Sequence, residues 1–366
     1  MGERWPAQLV FPYGRPGNKT RVHRRHLSTR KSAALPVAAA IGGMVVPILL
    51  YKLILPERPW AHGWGIPMAT DTAFAIALIV MMGARVPIEL RIFLTAAAIV
   101  DDIAAIIVVA LFYSSDLNIG YMAGAGVMTG LLALLNRWGV YGAGPYALVA
   151  IGLWICVHAA GLHATLAAVI LALFIPTRPP ANLHGLMAQV NAIAKVESQR
   201  STGGIGHGLS TPALSALGAI HARLESPAAR MLHHVEPWSS YFVLPLFALA
   251  NAGVVFSAGV WAGHAQLMSA IMVGLVVGKP LGMVLATGLA VRLGIATKPD
   301  VFSWAQVTGA GVLAGIGFTM SLFIADQAFP VPADFAAAKI AIYMASTLAA
   351  ILGVLILWKA SSRPST

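Results

Sequence analysis

Asp101 and Asp102 stand side by side in the middle of the 22-residue apolar run Ile92–Tyr113. An ionised carboxylate costs on the order of several kcal/mol to bury, even after relaxation. In a membrane span such residues are therefore candidates for function. Other segments carry polar groups equally at odds with their surroundings. Thr70, Asp71 and Thr72 follow Pro67 in an apolar stretch, and Lys279 sits between Gly278 and Pro280 at the centre of another. Gly309, Gly311, Gly315 and Gly317 load a further span. Glycine and proline interrupt a helix and free backbone groups, which are tolerated at depth only where protein or a cavity buries them. Two interrupted spans, one in each half of a chain, point to a midplane binding site between inverted repeats.

Adjacent helix positions lie about 100° apart, so Asp101 and Asp102 cannot both address one partner. One of them can face Lys279 while the other faces an ion cavity shared with Asp71. Carboxylates, the Thr70 hydroxyl and freed carbonyls form an oxygen-only ligand set suited to a hard cation such as Na⁺. No His/Cys set with transition-metal spacing stands beside them. Protons and a cation compete for the same oxygens, which is the physical basis of exchange. Two other readings need weighing. A structural ion-pair cluster with Lys279 needs no transported ion, and glycine-rich spans also occur as close helix packing. An intramembrane aspartyl hydrolase needs carboxylates facing each other from different spans, whereas this pair is adjacent on one helix beside a lysine. Transport is the expectation, not enzyme catalysis.

The elements that position these residues are membrane spans. Hydrophobic residues make up 58% of the chain and charged residues 10%, and mean hydropathy is +0.79. Soluble domains carry roughly 25% charged residues. An all-α polytopic membrane protein is expected, with about ten spans near 35–55, 66–82, 92–113, 119–135, 144–160, 162–176, 238–257, 268–290, 303–327 and 335–358. Each approaches the roughly 20 residues that a bilayer requires. The net charge of +11 follows membrane topology and implies no nucleic-acid partner. Twelve Lys and Arg fall on the side that includes Arg85, Arg91, Arg137 and Lys359, against Lys52 and Arg58 on the other. Five of the twelve lie in the long polar loop, which weighs less, yet seven against two still places that loop and the C-terminus in the cytoplasm. The single Cys156 excludes an intramolecular disulfide and reads as a free core thiol. The expected organisation is a segment 1–25, a membrane domain in 26–176 and 238–359, a cytoplasmic loop 177–237 and a tail 360–366. STGGIGHG (Ser201–Gly208) has no preceding strand and no following GKS or GKT, so it reads as a linker and not a phosphate loop. His221, Glu225, His233, His234 and Glu236 cluster before Trp238. They read as a solvated amphipathic helix or as a pH-sensing group.

Several stretches resemble the bacterial NhaA-type Na⁺/H⁺ antiporters: ALPVAAAIGGMVVP, GIPMATDTAFAIAL, RVPIELRIFLTAAAIVDDIAAIIVVALFY, LPLFALANAGV, VGKPLG and GIGFTMSLFIA. The resemblance runs from about His26 to the last span. It implies a fold of inverted repeats with two interrupted, crossing helices, broken here at Gly315 and Gly317. It makes Asp102 the main cation-binding carboxylate, with Asp71 and Thr70 at the crossing, and Na⁺ held at Asp102 and Asp71. Asp101 is then the partner of Lys279, which also balances helix-terminus charge. The implied activity is Na⁺ or Li⁺ export against entering protons in the inner membrane. No cofactor is implied beyond the transported Na⁺, Li⁺ and H⁺. The implied partners are lipid and a second copy in a homodimer.

The chain also departs from that family. The family has twelve spans and ten are counted here, the first two having no counterpart. Where the family carries LEHxLHPW, Leu232–Trp238 reads LHHVEPW. Residues 1–25 are basic, rich in Pro and Gly and without an apolar run, hence neither a span nor a signal peptide. A coding string for Phe11–Arg24, shifted by one base, spells the family motif GLEIKRE. Residues 1–25 are accordingly expected to be a frameshifted reading, and a truncated non-functional product is the alternative to an active antiporter.

Overall fold

In the computed structural model the described residues run from 30 to 361, apart from 58, 114–117, 163–164, 178–182, 202–209 and scattered positions between 225 and 257. Their regular elements are all helical. Residues 1–25, Glu225, His233, His234, Glu236, the side chain of His221 and most of STGGIGHG lie outside the described residues.

The chain divides into two compact units, one of residues up to Asp102 with those from Ser257 onward, the other Ile103–Phe256. The division falls inside a helix, directly after the aspartate pair, and not at the polar loop. In the first unit, helix α1 (Arg30–Ile54) contains Pro36 and Pro47. A 3₁₀ segment, Trp60–Met68, is followed by extended residues and then α2 (Thr72–Met81). Helix α3 (Ile88–Phe112) carries Asp101 and Asp102. In the second unit α4 (Ile119–Arg137), α5 (Ala143–Ala159) and α6 (Thr165–Phe174) pack around Leu132, Tyr146, Leu153 and Val157. A Cβ on Gly124 would stand 3.2 Å from Cys156 Sγ, so the thiol fills a helix–helix contact. The polar loop is not a plain linker. It holds α7 (Leu183–Ser201) and α8 (Thr211–Leu224), joined by Glu197, which accepts from Ser210 N–H at 3.0 Å and Ser210 Oγ at 2.6 Å.

The first unit resumes with α9 (Ala258–Val273), a π-helical turn Gly274–Gly278, and α10 (Lys279–Arg292). Pro280 lacks an N–H, and its ring would collide with a carbonyl four residues back in a regular helix. The widened turn relieves that conflict. Helices α11 (Trp304–Ala314) and α12 (Phe318–Ala328) form one span bent by 46° at Gly315–Gly317. Helix α13 (Pro332–Ser361) closes the unit.

Among the described residues six helices are long and apolar enough to cross a membrane, or seven with the bent pair. Helix α5, with 17 residues, is near the limit and α6, with 10, is shorter than its apolar sequence suggests. The second span starts at Trp60 and not near 66, because its 3₁₀ half, WAHGWGIPM, is too rich in Gly and aromatics to read as helix. Most of the expected span 238–257 lies outside the described residues.

Small residues let α1 and α10 meet almost backbone to backbone. A Cβ on Gly282 would overlap the carbonyl of Gly42, and one on Gly42 would overlap the carbonyl of Gly282. The turn between α2 and α3 needs Gly83 at φ 60°. It is held by Arg91, which donates to Gly83 O, and by Arg85, stacked 3.5 Å above the Trp358 ring. Elsewhere in the unit Trp60 Nε1 donates to Asp334 Oδ1 at 2.8 Å, with His264 Nε2 3.0 Å from the same oxygen.

These distances separate two glycines of α10. Gly282→Ala puts a methyl into backbone that cannot yield and should cost about 1–3 kcal/mol. Gly288→Ala meets only Trp304, at 3.9 Å, and should be neutral or gain up to about 1 kcal/mol from helix propensity. Thermal unfolding of the detergent-purified chain should place Gly282→Ala below wild type and Gly288→Ala at or above it.

Candidate ion-binding site

The two interruptions meet. Asp71 N–H donates to Ile316 O at 2.5 Å, joining the break of the second span to the Gly-Ile-Gly break between α11 and α12. Both ends of the latter are crowded, against backbone at Gly315 and against a side chain at Gly317. A Cβ on Gly315 would overlap the carbonyl of Leu275, and one on Gly317 would overlap Ser321 Oγ. The glycine run thus serves packing and helix interruption together.

Asp71 is the N-cap of α2, where its Oδ1 accepts from Phe74 N–H at 3.3 Å. Its Oδ2 accepts from Thr319 N–H at 3.0 Å and from Thr319 Oγ1 at 2.5 Å. One carboxylate therefore caps the N-termini of two short helices, where the helix dipole favours negative charge. Two further donors of the second break, Gly317 and Phe318 N–H, go to Ser346 Oγ of α13 at 3.3 and 3.2 Å.

Lys279, 1% exposed, faces Asp101, 4% exposed. Its Nζ stands 2.7 Å from Asp101 Oδ2 and also donates to Met68 O, a carbonyl freed by the first break. The π-helical turn directly before Lys279 sets where its side chain emerges from α10. Thr70 Oγ1 lies 2.6 Å from Asp101 Oδ2 and 3.0 Å from Ala314 O. A hydroxyl has one hydrogen, so Thr70 serves one of these acceptors at a time. Asp101 Oδ1 is buried without a hydrogen-bond partner among the described residues. A small cavity between Ala39, Gly43, Ala97, Thr70, Asp101 and Lys279 has room for about one water molecule.

Asp102 differs from its neighbour. It is half-buried, and its Oδ2 accepts from Thr72 Oγ1 at 2.8 Å. Among the described residues its other oxygen accepts no hydrogen bond. Asp101, Lys279 and Asp71 all lie within electrostatic reach of it.

Of the residues expected at the site, Asp71, Thr70, Asp101, Asp102, Lys279, Gly315 and Gly317 all gather at the crossing. Within the crossing Thr70 lies on the Asp101 side, at the Lys279 pair. Thr319, Ser346 and the carbonyls of Met68 and Ala314 did not stand out in the sequence, and Thr72 stood out only as a misplaced polar residue with no role assigned to it. The TDT triplet was the available signal for Thr72.

Two interrupted spans meeting over a buried charged cluster define a class: a multi-pass α-helical membrane protein built as secondary transporters are. Residues 19–357 match the model of the Na⁺/H⁺ antiporter 1 family, and the chain belongs to that family. It is 62% identical over 349 residues to a Nitrosospira multiformis protein named Na(+)/H(+) antiporter NhaA, covering 92% of this chain and 56% of that one. It is 41% identical over 339 residues to the protein of that name from Helicobacter pylori strain P12, covering 92% and 77%. The Wolinella succinogenes protein of that name is 41% identical over 326 residues, covering 88% and 72%. The chain thus spans little more than half the length of the first of these relatives.

Removing Lys279 strands a buried carboxylate and an unpaired carbonyl. Lys279→Met should destabilise the purified protein by about 3–5 kcal/mol. Adding Asp101→Asn removes the stranded charge and should recover a large part of that loss. Melting temperatures of the two single variants and the double variant form the cycle that measures it; additive losses would refute the pairing.

Proposed function

We propose that the chain is a Na⁺/H⁺ antiporter of the bacterial inner membrane, exporting Na⁺ or Li⁺ against entering protons in sodium and pH homeostasis. The observation that carries this reading is the inequality of the aspartate pair. Asp101 has an ammonium 2.7 Å away, whereas Asp102 is half-buried and, among the described residues, has one hydroxyl donor and no opposite charge bonded to it. Its charge is left for a mobile cation to neutralise. A proton or a sodium ion does this equally well in sign, and both cannot occupy the same oxygens. Loading one therefore expels the other.

Asp71 supplies further negative potential at the crossing, within reach of Asp102, and Thr70 keeps a hydroxyl between Asp101 and the end of α11. Protonation of Asp101 removes the attraction that holds Lys279, so the pair breaks and reforms as the charge at the site changes. The excess of Lys and Arg in the loops supports an orientation with the polar loop and the C-terminus in the cytoplasm.

Asp102→Asn tests the reading. A neutral amide cannot hold a proton and a cation in turn, so everted vesicles carrying this variant should show no sodium-driven pH change where the unmodified chain does. A normal sodium response from Asp102→Asn would sink the assignment.

A further inference from the structure

We propose that Thr72 is a cation-selecting residue: its hydroxyl donates to Asp102 when the site holds no ion and becomes a ligand of the ion when it is loaded. The proposal rests on the antiport reading above and deepens it.

The triplet Thr70-Asp71-Thr72 places a hydroxyl on each side of a break in the backbone. The extended residue Thr70 reaches Asp101 at 2.6 Å, and Thr72, the first residue of α2, reaches Asp102 at 2.8 Å. Because adjacent positions of α3 point about 100° apart, the two hydroxyls sort the aspartates into separate environments. Thr70 joins a carboxylate that is already matched by Lys279, whereas Thr72 joins the one that is not.

Position within the helix explains why Thr72 is free for this task. A threonine inside a helix commonly returns its hydrogen to the carbonyl one turn back. Thr129 bonds Ala125 O, Thr287 bonds Met283 O and Thr308 bonds Trp304 O. At the first position of α2 the residue one turn back is Met68. That residue lies beyond the break, and its carbonyl is engaged by Lys279. The Thr72 hydrogen is thus committed to the carboxylate, and both lone pairs of its oxygen remain available.

The hydroxyl can serve each state of Asp102. It donates to the carboxylate and accepts from the protonated acid. With a cation bound it turns its hydrogen outward, where a half-buried position lets water receive it, and offers a lone pair to the ion. Carboxylate and hydroxyl oxygens together suit a hard cation. Selectivity follows from the number of coordinating oxygens as well as from cavity size. A smaller ion is satisfied by fewer oxygens, so loss of one weakens Na⁺ more than Li⁺.

The test uses the full chain purified in detergent, titrated with NaCl and with LiCl at alkaline pH, where protons compete least. Binding is read as heat and as released protons, with Asp102→Asn as the blank. Thr72→Val should weaken Na⁺ roughly ten-fold, the scale of one lost polar contact, and weaken Li⁺ less. Thr72→Ser, which restores the hydroxyl, should bind within about two-fold of wild type on the same scale. Should Thr72→Val not fold, Thr72→Ala removes the hydroxyl with less bulk and carries the same expectation. Equal Na⁺ binding by wild type and Thr72→Val overturns the role of Thr72, as does a Ser variant as weak as Val, or equal loss for both ions. If the wild-type chain binds no more Na⁺ than Asp102→Asn, the antiport reading itself fails and takes this inference with it.

Discussion

A backbone interrupted inside a membrane must satisfy every N–H and C=O it frees, because hydrocarbon offers no partners. Two such breaks stand among the described residues at the crossing, and they answer each other. Asp71 N–H bonds Ile316 O, and Asp71 carboxylate oxygens take Phe74 N–H and Thr319 N–H. Lys279 takes Met68 O, Thr70 reaches Ala314 O, Ser321 Oγ takes Ile66 O, and Ser346 takes Gly317 and Phe318 N–H. The side chains with the right chemistry for an ion are largely the same side chains that keep the breaks from unravelling. Charge at the site and helix geometry are therefore one problem. Lys279 and Thr70, which meet at Asp101, also hold the carbonyl ends of two half-helices.

The close approaches around this crossing follow from the same demand. Leu275 O would collide with any side chain at position 315, and Pro47 Cα would lie 3.0 Å from a Cβ at position 278. Small residues let α1, the π-helical turn and the broken span come near enough for one lysine to reach both a carboxylate and a carbonyl. Pro280 forces the wide turn, and the wide turn is where Lys279 begins α10. Glycines, proline and lysine form one device here, and none of them is explained alone.

The charged half of the site was legible because a carboxylate or an ammonium inside an apolar run is costly, and the sequence displays that cost openly. Asp71, Asp101, Asp102 and Lys279 needed no structure to be noticed, and Gly315 with Gly317 marked a break by type and spacing. The hydroxyl half was legible only in part, through Thr70 and Thr72 beside Asp71. Thr319 and Ser346 look in sequence like Thr129, Thr287 and Thr308, which return their hydrogens to their own helices and cost nothing. The acceptor that each hydroxyl reaches separates the two groups, and that acceptor is a tertiary property. The same reasoning covers the 3₁₀ half Trp60–Met68 and the paired helices α7 and α8. Their stability comes from neighbours such as Asp334 on Trp60 and Glu197 on Ser210, far along the chain or across a turn.

Three carboxylates meeting three threonines also explains how the crossing tolerates so much negative charge. Asp101 takes Thr70, Asp102 takes Thr72 and Asp71 takes Thr319, so each acid has a donor that carries no net charge. Two further lysines in place of these hydroxyls would neutralise the cluster permanently and leave nothing for a mobile cation. Hydroxyls stabilise the carboxylates without cancelling them. With one fixed ammonium for three acids, the crossing keeps a net negative field directed at Asp102, the least buried of the three. The proposed exchange depends on that residual charge: enough to draw a cation from water, and not so much that a proton cannot displace it.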